Sequence, residues 1–112
     1  MDRRTVCITG STHGIGLGIA RAFAADDYRV VLNSHIRDDH AERAIGELSA
    51  LTDVHFVQTD LARPGGAERL VDEAYAHWGR LDTLVNNAGT FLDAPFGQCV
   101  EPAPVCVGLD HQ

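Results

Sequence analysis

The chain has 112 residues, and its 16 acidic residues outnumber its 9 basic ones, which gives a formal net charge of −7. This excess argues against a nucleic-acid-binding or anionic-membrane surface, because both need clustered basic residues. Every basic residue is an arginine, so the absence of lysine excludes Schiff-base chemistry and a Walker-type phosphate loop. The length predicts a single domain.

The cysteines and the N-terminal residues indicate the compartment. Cys7, Cys99 and Cys106 form neither a CxxC pair nor a disulfide framework. The N-terminal apolar run is too short for a signal peptide or a membrane helix. We therefore expect a reduced, cytoplasmic location without membrane contact. The six histidines have no shared metal-ligand spacing, so no metal site is expected.

Strand and helix patterns alternate from the first residues onward. The apolar, β-branched residues 5–9 predict a buried strand that stops at Gly10, and residues 29–33 predict a second one. Between them lies a glycine-rich loop at residues 10–14, followed by a helix. The apolar stripe predicted for this helix consists of Ile15, Ile19, Ala22 and Phe23.

The second helix is predicted to start at a capping box. Asp39 and Glu42 have the required spacing, with Asp39 in the capping position. A third strand is predicted over residues 54–59 and a fourth over residues 82–85. The apolar stripe of this second helix is Ala41, Ala44, Ile45 and Leu48.

The third helix is bounded by a proline and a glycine. Pro64 suits its first turn, and Gly79 suits its C-terminal cap. Its buried side is predicted to contain Ala67, Leu70, Val71, Ala74 and Trp78. The resulting order β-α-β-α-β-α-β favours parallel strands. We predict an α/β fold, a Rossmann-like doubly wound parallel sheet truncated after about four strands.

The glycine-rich loop is the strongest chemical signal. It reads Thr-Gly-Ser-Thr-His-Gly-Ile-Gly over residues 9–16. A turn between a strand and a helix directs backbone N–H groups and the helix dipole toward an anion. Gly10 permits the tight turn, Gly14 lets the backbone approach a pyrophosphate, and Gly16 lets the helix pack closely on the sheet. The spacing differs from the usual G-x-G-x-x-G, and a simple turn is the alternative.

Three motifs in order resemble the short-chain dehydrogenase/reductase (SDR) family. Residues 9–16 match its TGxxxGIG loop, Asp60-Leu61 follows the third strand, and residues 86–89 match its NNAG motif. The resemblance covers residues 5–96, the N-terminal half of the usual family domain. It implies an NAD(P)-binding Rossmann-like half-domain at residues 1–96 and leaves residues 97–112 as an irregular tail.

The resemblance also implies cofactor contacts. The pyrophosphate would lie against Gly10, Gly14, Ile15 and Gly16, with Ser11 in the same loop. Asp60 would accept a hydrogen bond from the adenine amine, beside the Leu61 backbone; a turn cap near Pro64 is the alternative for Asp60. Asn86 would stabilise the sheet. The ribose side of the cofactor would be lined by Asn87, Ala88 and Gly89.

The end of the second strand favours NADP over NAD. Residues 33–37 contain no carboxylate, which would otherwise bind the 2′-hydroxyl of NAD and repel a 2′-phosphate. Ser34 can donate a hydrogen bond, and Arg37 can neutralise phosphate charge. His13 occupies a position where NADP-preferring family members often carry a basic residue. The alternative is that His35 and Arg37 are solvated loop residues.

The catalytic half of the family pattern is missing. Its Tyr-x-x-x-Lys pair requires a lysine, and the two tyrosines, Tyr28 and Tyr75, fit packing roles better. We expect the cofactor-binding half of an oxidoreductase that moves a hydride between NADP(H) and an alcohol or carbonyl, inactive by itself. A non-catalytic nucleotide-binding or regulatory module, a flavodoxin-like domain, and an enzyme completed by a partner chain are the alternatives.

The family resemblance also bears on self-association. It implies the strand order 3-2-1-4, which leaves the fourth strand as an uncovered edge. An apolar parallel edge is prone to pair with another chain. We therefore expect a marginal monomer, a form that self-associates through this edge, or partial disorder.

Overall fold

A computed structural model describes residues 3–87 and 107–109 of the chain. Four parallel strands form the centre of the sheet, in the order β3-β2-β1-β4, and β5 is added next to β4. The strands are β1 (Thr5–Ile8), β2 (Arg29–Ser34), β3 (Val54–Gln58), β4 (Thr83–Val85) and β5 (Val107–Leu109). The helices are α1 (Gly14–Ala25), α2 (Asp39–Ser49) and α3 (Gly66–Trp78).

The predicted fold class is confirmed: the protein is α/β, with a Rossmann-like parallel sheet. Strand β1 is paired with β2 on one side and β4 on the other, so the chain changes direction across the sheet at β1. In open α/β sheets a crevice forms at the carboxyl ends of the strands where the order reverses. This topology therefore places the loop between β1 and α1 at that crevice.

The far edge of β4 differs from the expectation. Strand β5 pairs antiparallel with β4, with Leu84 opposite Gly108. The prediction of an uncovered β4 edge was therefore wrong, because three residues remote in sequence supply its hydrogen-bonding partner. These three residues fall within the segment 97–112, which was predicted to be an irregular tail. The other residues of that segment lie outside the part of the chain that the structure describes. The domain boundary after residue 96 stays a prediction.

The sheet is buried on both faces. Val30, Val31 and Leu32 of β2 are each fully buried. Since successive strand residues point to opposite faces, their burial shows that both faces of the sheet are covered. One face packs on α1 and α2 through Ala20 and Leu48, and the other packs on α3. The α3 side contains the predicted Leu70 and Ala74, with Ala67, Val71 and Trp78 at its margin.

Cys7 belongs to this second core cluster. It is fully buried, and burial raises the pKa of its thiol to about 12. A thiol that stays protonated is a poor nucleophile. Cys7 therefore acts as a small core residue, as the sequence predicts.

Helix α1 is rotated relative to the predicted stripe. Ile15 is 75% exposed and Ala22 is exposed, whereas the predicted Ile19 and Phe23 are partly buried. The prediction placed the large side chains at the centre of the buried face. The fully buried residues are instead small, because they let the helix axis approach the sheet. They are Gly16, Ala20 and Ala24.

The starts of α2 and α3 also differ from the predictions. The cap of α2 is Asp38 rather than Asp39, since the Asp38 carboxylate accepts a hydrogen bond from the Ala41 N–H at 3.1 Å. Helix α3 begins after Gly65, whose φ of 80° is left-handed, so Pro64 precedes the helix instead of occupying its first turn. The predicted C-terminal cap at Gly79 is confirmed, with φ of 72°.

A stack of two histidines joins β3 to α3. The rings of His55 and His77 are parallel within 6°, with centroids 3.8 Å apart, and His77 meets the edge of Trp78. Burial and the neighbouring His77 lower the pKa of His55, and the Glu73 carboxylate, 4.0 Å from its Nε2, opposes that shift. The stack therefore favours neutral imidazole.

This stack should make the stability depend on pH. Since the pKa of His55 is lower in the folded protein, the unfolded chain binds the proton more strongly. His55 therefore makes its full contribution to stability above the unfolded histidine pKa of about 6.5. That contribution is lost as the pH falls from this value toward the lower pKa that His55 has in the folded protein. We expect a lower urea midpoint at about pH 5.5 than at about pH 7.5, and a smaller difference in His55→Gln.

A matched control is His35→Gln, which removes an exposed histidine after β2 and should preserve the difference. Paired carboxylates such as Asp82 titrate below this window, because their pKa values are lowered. Equal midpoints at both pH values in the unmodified protein would contradict the expectation.

Candidate functional site

A cavity of about 460 Å³ lies at the carboxyl ends of β1, β2 and β3. Its walls come from the loop before α1, the end of β2 and the segment after β3. The lining residues are Gly10, Thr12, His13, Gly14, Ile15, Asn33, Ser34, His35, Thr59, Asp60, Leu61 and Asn87.

Most of the predicted site residues meet in this cavity. Those that line it are Gly10, His13, Gly14, Ile15, Ser34, Asp60, Leu61 and Asn87. Ser11, Gly16 and Arg37 do not line it, and Ala88 and Gly89 lie outside the described residues. Sequence reasoning did not select Thr12, Asn33, His35 and Thr59 as site residues.

Two glycines let the loop before α1 turn. Gly10 has φ of 55° and Gly14 has φ of 61°, both in the left-handed region that glycine adopts without steric cost. Gly16 is required for a different reason. A Cβ there would lie 2.2 Å from the Gly10 carbonyl oxygen and 2.6 Å from Asn87 Nδ2. Helix α1 can therefore approach the loop only with glycine at this position.

Ser11 holds the loop against the sheet. Its hydroxyl donates to the Ile8 carbonyl at 2.7 Å and accepts from the Asn33 N–H at 2.9 Å. Its own N–H donates to the Asn33 carbonyl at 2.9 Å. The hydroxyl is fully buried and both Ser11 donors already have partners, so Ser11 has a structural role in the loop. Its contact with a cofactor stays a prediction.

Asn33 joins three segments of the site. Its Oδ1 accepts from the Gly10 N–H at 3.1 Å, and its Nδ2 lies 3.2 Å from the Val57 carbonyl and 3.4 Å from the Thr59 carbonyl. The side chain is 2% exposed. A polar residue inside the apolar run of β2 was the available sequence signal for this role.

The end of β4 supports the same loop. Thr9 Oγ1 accepts from the Asn87 N–H at 2.8 Å and donates to Asn86 Oδ1 at 3.2 Å. Asn87 Nδ2 donates to the Gly10 carbonyl at 3.2 Å. Asn86 is buried and therefore ties β4 to β1, in agreement with its expected sheet-stabilising role.

The N-terminus of α1 faces this cavity. His13 is the N-cap, its side chain makes no capping hydrogen bond, and the first turn has no acidic residue. The first N–H groups of a helix lack partners inside the helix and carry the positive end of the dipole. With Gly14 and Ile15 in the cavity wall, this end is suited to an anionic group.

Asp60 caps its own turn and also lines the cavity. Its Oδ1 accepts from the Ala62 N–H at 2.9 Å, which is the turn cap. Its Oδ2 lies 3.8 Å from Arg63 Nε, and the residue also lines the cavity. The carboxylate is therefore oriented by its own turn while remaining accessible from the cavity.

Arg37 is paired with Glu42 and is not among the residues that line the cavity, and its predicted contact with a phosphate stays a prediction. Its Nε lies 2.5 Å from Glu42 Oε2, and its guanidinium sits 5.4 Å from the centre of the Phe56 ring. The Glu42 carboxylate raises the pKa of Arg37 and has its own pKa lowered. The basic group that reaches the cavity from this segment is His35.

Other classes of site find no support in residues 3–87 and 107–109. Within them, no three histidine, cysteine, aspartate or glutamate side chains lie close enough together to hold a metal ion. The helices in the same part of the chain are also too short or too polar to cross a membrane.

The fold and site define a dinucleotide-binding type of α/β structure, with a glycine-rich turn and a helix N-terminus at the point where strand order reverses. Residues 4–103 match the family model of the short chain dehydrogenases. The chain belongs to this family.

Named relatives agree with this assignment. A protein described as ketoacyl reductase 2 of the granaticin polyketide synthase from Streptomyces violaceoruber is 41% identical over 97 residues, covering 87% of this chain. The chain spans 38% of that relative's length.

Two solved structures are similar in fold. A short chain dehydrogenase from Burkholderia cenocepacia in complex with NADP gives a TM-score of 0.72 at 34% identity, over 80% of this chain and 36% of that one. An NADH-dependent reductase complexed with NAD also gives 0.72, at 29% identity over 91% and 42%. The two structures hold different nicotinamide dinucleotides.

The close approach at Gly16 leads to a first test of the site. Gly16→Ala should lower the free energy of unfolding by roughly 2–4 kcal/mol, since the added Cβ meets backbone atoms that cannot move independently. Gly18→Ala, in the same helix with open space around its Cβ position, should instead raise it by about 0.5–1 kcal/mol. Urea unfolding measures both, and equal effects would contradict the packing role.

The bridging amide of Asn33 leads to a second test. Asn33→Leu keeps the approximate shape but removes the side-chain acceptor of the Gly10 N–H and the amide donor to the Val57 and Thr59 carbonyls. We expect a loss of roughly 2–3 kcal/mol in the free energy of unfolding. Gln58→Ala removes an exposed amide and should change it by less than about 0.5 kcal/mol. A tolerated Asn33→Leu would show that the bridge is dispensable.

Proposed function

We propose that this chain binds a nicotinamide dinucleotide in the cavity and prefers NADP(H) to NAD(H). The observation that supports the preference is made at the end of β2. Ser34 and His35 line the cavity there, and this segment contributes no carboxylate to the lining. A carboxylate at this position would bind the ribose 2′-hydroxyl and repel a 2′-phosphate.

The pyrophosphate would lie at the N-terminus of α1. Gly10, Gly14 and Ile15 provide a wall without bulky polar side chains, and Gly16 brings the helix close to that wall. The helix dipole and the uncapped N–H groups of the first turn favour the two negative charges. This part of the proposal does not depend on which dinucleotide is bound.

The adenosine would occupy the β2 and β3 side of the cavity. Asp60 can accept a hydrogen bond from the adenine amine, next to the Leu61 backbone, because its turn already fixes the carboxylate. Asn87 is the described member of the motif proposed for the ribose side, together with Ala88 and Gly89. Its amide is fixed by the Gly10 carbonyl.

The proposed reaction is hydride transfer between NADP(H) and an alcohol or a carbonyl. The nicotinamide supplies the hydride chemistry when bound, and the described residues bind and orient the dinucleotide. These 112 residues contain no lysine, so a Tyr-x-x-x-Lys pair is absent from them. We therefore propose that these residues bind cofactor without catalysing the reaction by themselves. The proposed location of the protein is the cytoplasm.

The same lack of lysine supports a second candidate, a nucleotide-binding or regulatory module without catalysis. Tyr28 cannot substitute for the missing acid and base, because its ring packs on Phe23 at 4.8 Å and is 9% exposed. Both candidates require dinucleotide binding without turnover by these residues alone. Hydride transfer that appears when the chain is mixed with a separate segment carrying a Tyr-x-x-x-Lys pair would favour the first candidate, and binding without turnover would favour the second.

The proposal is tested by calorimetric titration of the chain with NADP⁺ and NAD⁺. We expect tighter binding of NADP⁺, and a reversal of the preference in Ser34→Asp, which places a carboxylate at the end of β2. Loss of one charged hydrogen bond and the added repulsion should weaken NADP⁺ binding by about 10–100-fold.

The matched control is Ser49→Asp, the same substitution at the exposed end of α2. It should leave the preference unchanged. Failure of both nucleotides to bind at millimolar concentration would overturn dinucleotide binding. Tighter binding of NAD⁺ by the unmodified chain would overturn the preference alone.

A further inference from the structure

The outer edge of β4 is covered by three residues that come from far along the chain. Strand β5 lies antiparallel to β4, whereas the other neighbouring strands of the described sheet are parallel to each other. Residues 86–106 connect the two strands. Residues 107–109, named here the β5 strap, are therefore a short segment that a long connection holds on the sheet.

The hydrogen bonds of β4 show which of its backbone groups face the strap. The Val85 carbonyl accepts from the Thr9 N–H at 3.0 Å, so Val85 directs its backbone groups toward β1. Successive residues of a strand direct their N–H and carbonyl groups to opposite sides. Those of Leu84 therefore point away from β1 and toward Gly108, which stands opposite Leu84 in the register.

This alternation makes Leu84 and Gly108 the hydrogen-bonded pair of the ladder. Two residues in such a pair exchange both of their N–H···O bonds, and the residues on either side of them do not. Val107 stands opposite Val85 and therefore directs its N–H away from β4. The strap is thus held by one exchanged pair of backbone hydrogen bonds at its centre.

Without the strap, β4 would present an edge that is prone to pair with another strand. Thr83, Leu84 and Val85 are uncharged and buried. They include neither the charged side chains nor the proline that discourage pairing at sheet edges. Helix α1 packs chiefly on β1 and β2, and α3 packs chiefly on β1 and β3, which leaves room for a strand beside β4.

The strap is held less firmly than the strands at the centre of the sheet. It has three residues, fewer than the five or six of a usual strand. Closing a connection as long as residues 86–106 costs conformational entropy, and a backbone hydrogen bond offsets little of that cost in water. Strand β1, in contrast, is paired on both sides. The strap can therefore open while the parallel strands stay paired.

A second copy of β4 fits the edge that an open strap leaves. Two β4 strands placed antiparallel about a twofold axis at Leu84 bring Thr83 of each copy opposite Val85 of the other. Each Leu84 then exchanges both hydrogen bonds with the partner's Leu84, as it does with Gly108 in the closed chain. Such a contact is self-complementary, because both copies use the same surface, and β4 carries no charge that would oppose it.

We propose that the β5 strap guards an interaction surface, the edge of β4 centred on Leu84, and that β4 of a second copy occupies this surface when the strap opens. The closed chain is a monomer. Opening exchanges the Leu84–Gly108 pair within one chain for a pair of Leu84 residues between two chains. This inference does not depend on dinucleotide binding.

Two proline substitutions test the strap, because proline has no N–H. Gly108→Pro removes the N–H that faces β4 and should shift the strap toward the open form by about tenfold. Val107→Pro is the matched control, since it removes an N–H that points away from β4, where an edge strand tolerates proline. A thiol reductant in every sample prevents disulfides of Cys99 or Cys106 from mimicking association.

Light scattering over a concentration series measures the association of the full chain. The unmodified protein and Val107→Pro should keep the mass of one chain throughout. The mass of Gly108→Pro should rise with concentration toward that of two chains.

Hydrogen exchange at the Leu84 amide identifies the surface. In dilute Gly108→Pro this amide should exchange about tenfold faster than in the unmodified chain, because its partner in the strap is lost. The exchange should slow again as the concentration rises, since a second β4 bonds the same amide. The Val85 amide, which faces β1, should be equally protected in both proteins and shows that the variant is folded.

Several results would overturn the proposal. Association of the unmodified chain over the same concentrations would show that the strap is no guard. Equal behaviour of the two proline variants would contradict the assigned hydrogen-bonded pair. Association of Gly108→Pro with fast exchange at Leu84 would place the contact elsewhere. A Gly108→Pro monomer with fast exchange at Leu84 would exclude a second copy as the occupant.

Discussion

The buried side chain of Asn33 connects the loop before α1 to β2 and β3. Its Oδ1 accepts the Gly10 N–H, and its Nδ2 donates to carbonyls at the end of β3. In the same place Ser11 uses its hydroxyl and its N–H on β1 and β2. These contacts direct the first polar groups of the loop inward, so the start of α1 is the part of the loop that faces the cavity.

The position of α1 depends on a second constraint, the space available at Gly16. Because Gly16 has no Cβ, the helix can lie directly against the Gly10 carbonyl and the Asn87 amide. Small buried residues along the rest of α1 continue this close packing on the sheet. In this orientation of the helix, Ile15 points out of the core toward the cavity. The end of β4 therefore contacts the loop before α1 directly, and pairing of β4 with β5 gives that strand a neighbour on both sides.

Charge is distributed unevenly around this frame. The chain is acidic overall, with a formal net charge of −7, yet Asp60 is the single acidic residue in the cavity lining of the described structure. Several arginines, including Arg21 and Arg69, form ion pairs with glutamates on the helices. Such exposed pairs contribute little to stability. At the end of β2, His35 is the basic side chain that lines the cavity.

The sequence by itself determined the four parallel strands, the glycine-rich loop before α1 and most of the predicted residues that line the cavity, because apolar runs, glycine spacing and turn residues act locally. Its errors include two local ones, the capping residue of α2 and the first turn of α3, and two that depend on remote partners, the buried face of α1 and the pairing of β5 with β4. Asn33 also acts across three segments that are distant in sequence. The tertiary structure decided these features, because a side chain's partner depends on which surfaces the packed helices and strands bring within hydrogen-bonding distance.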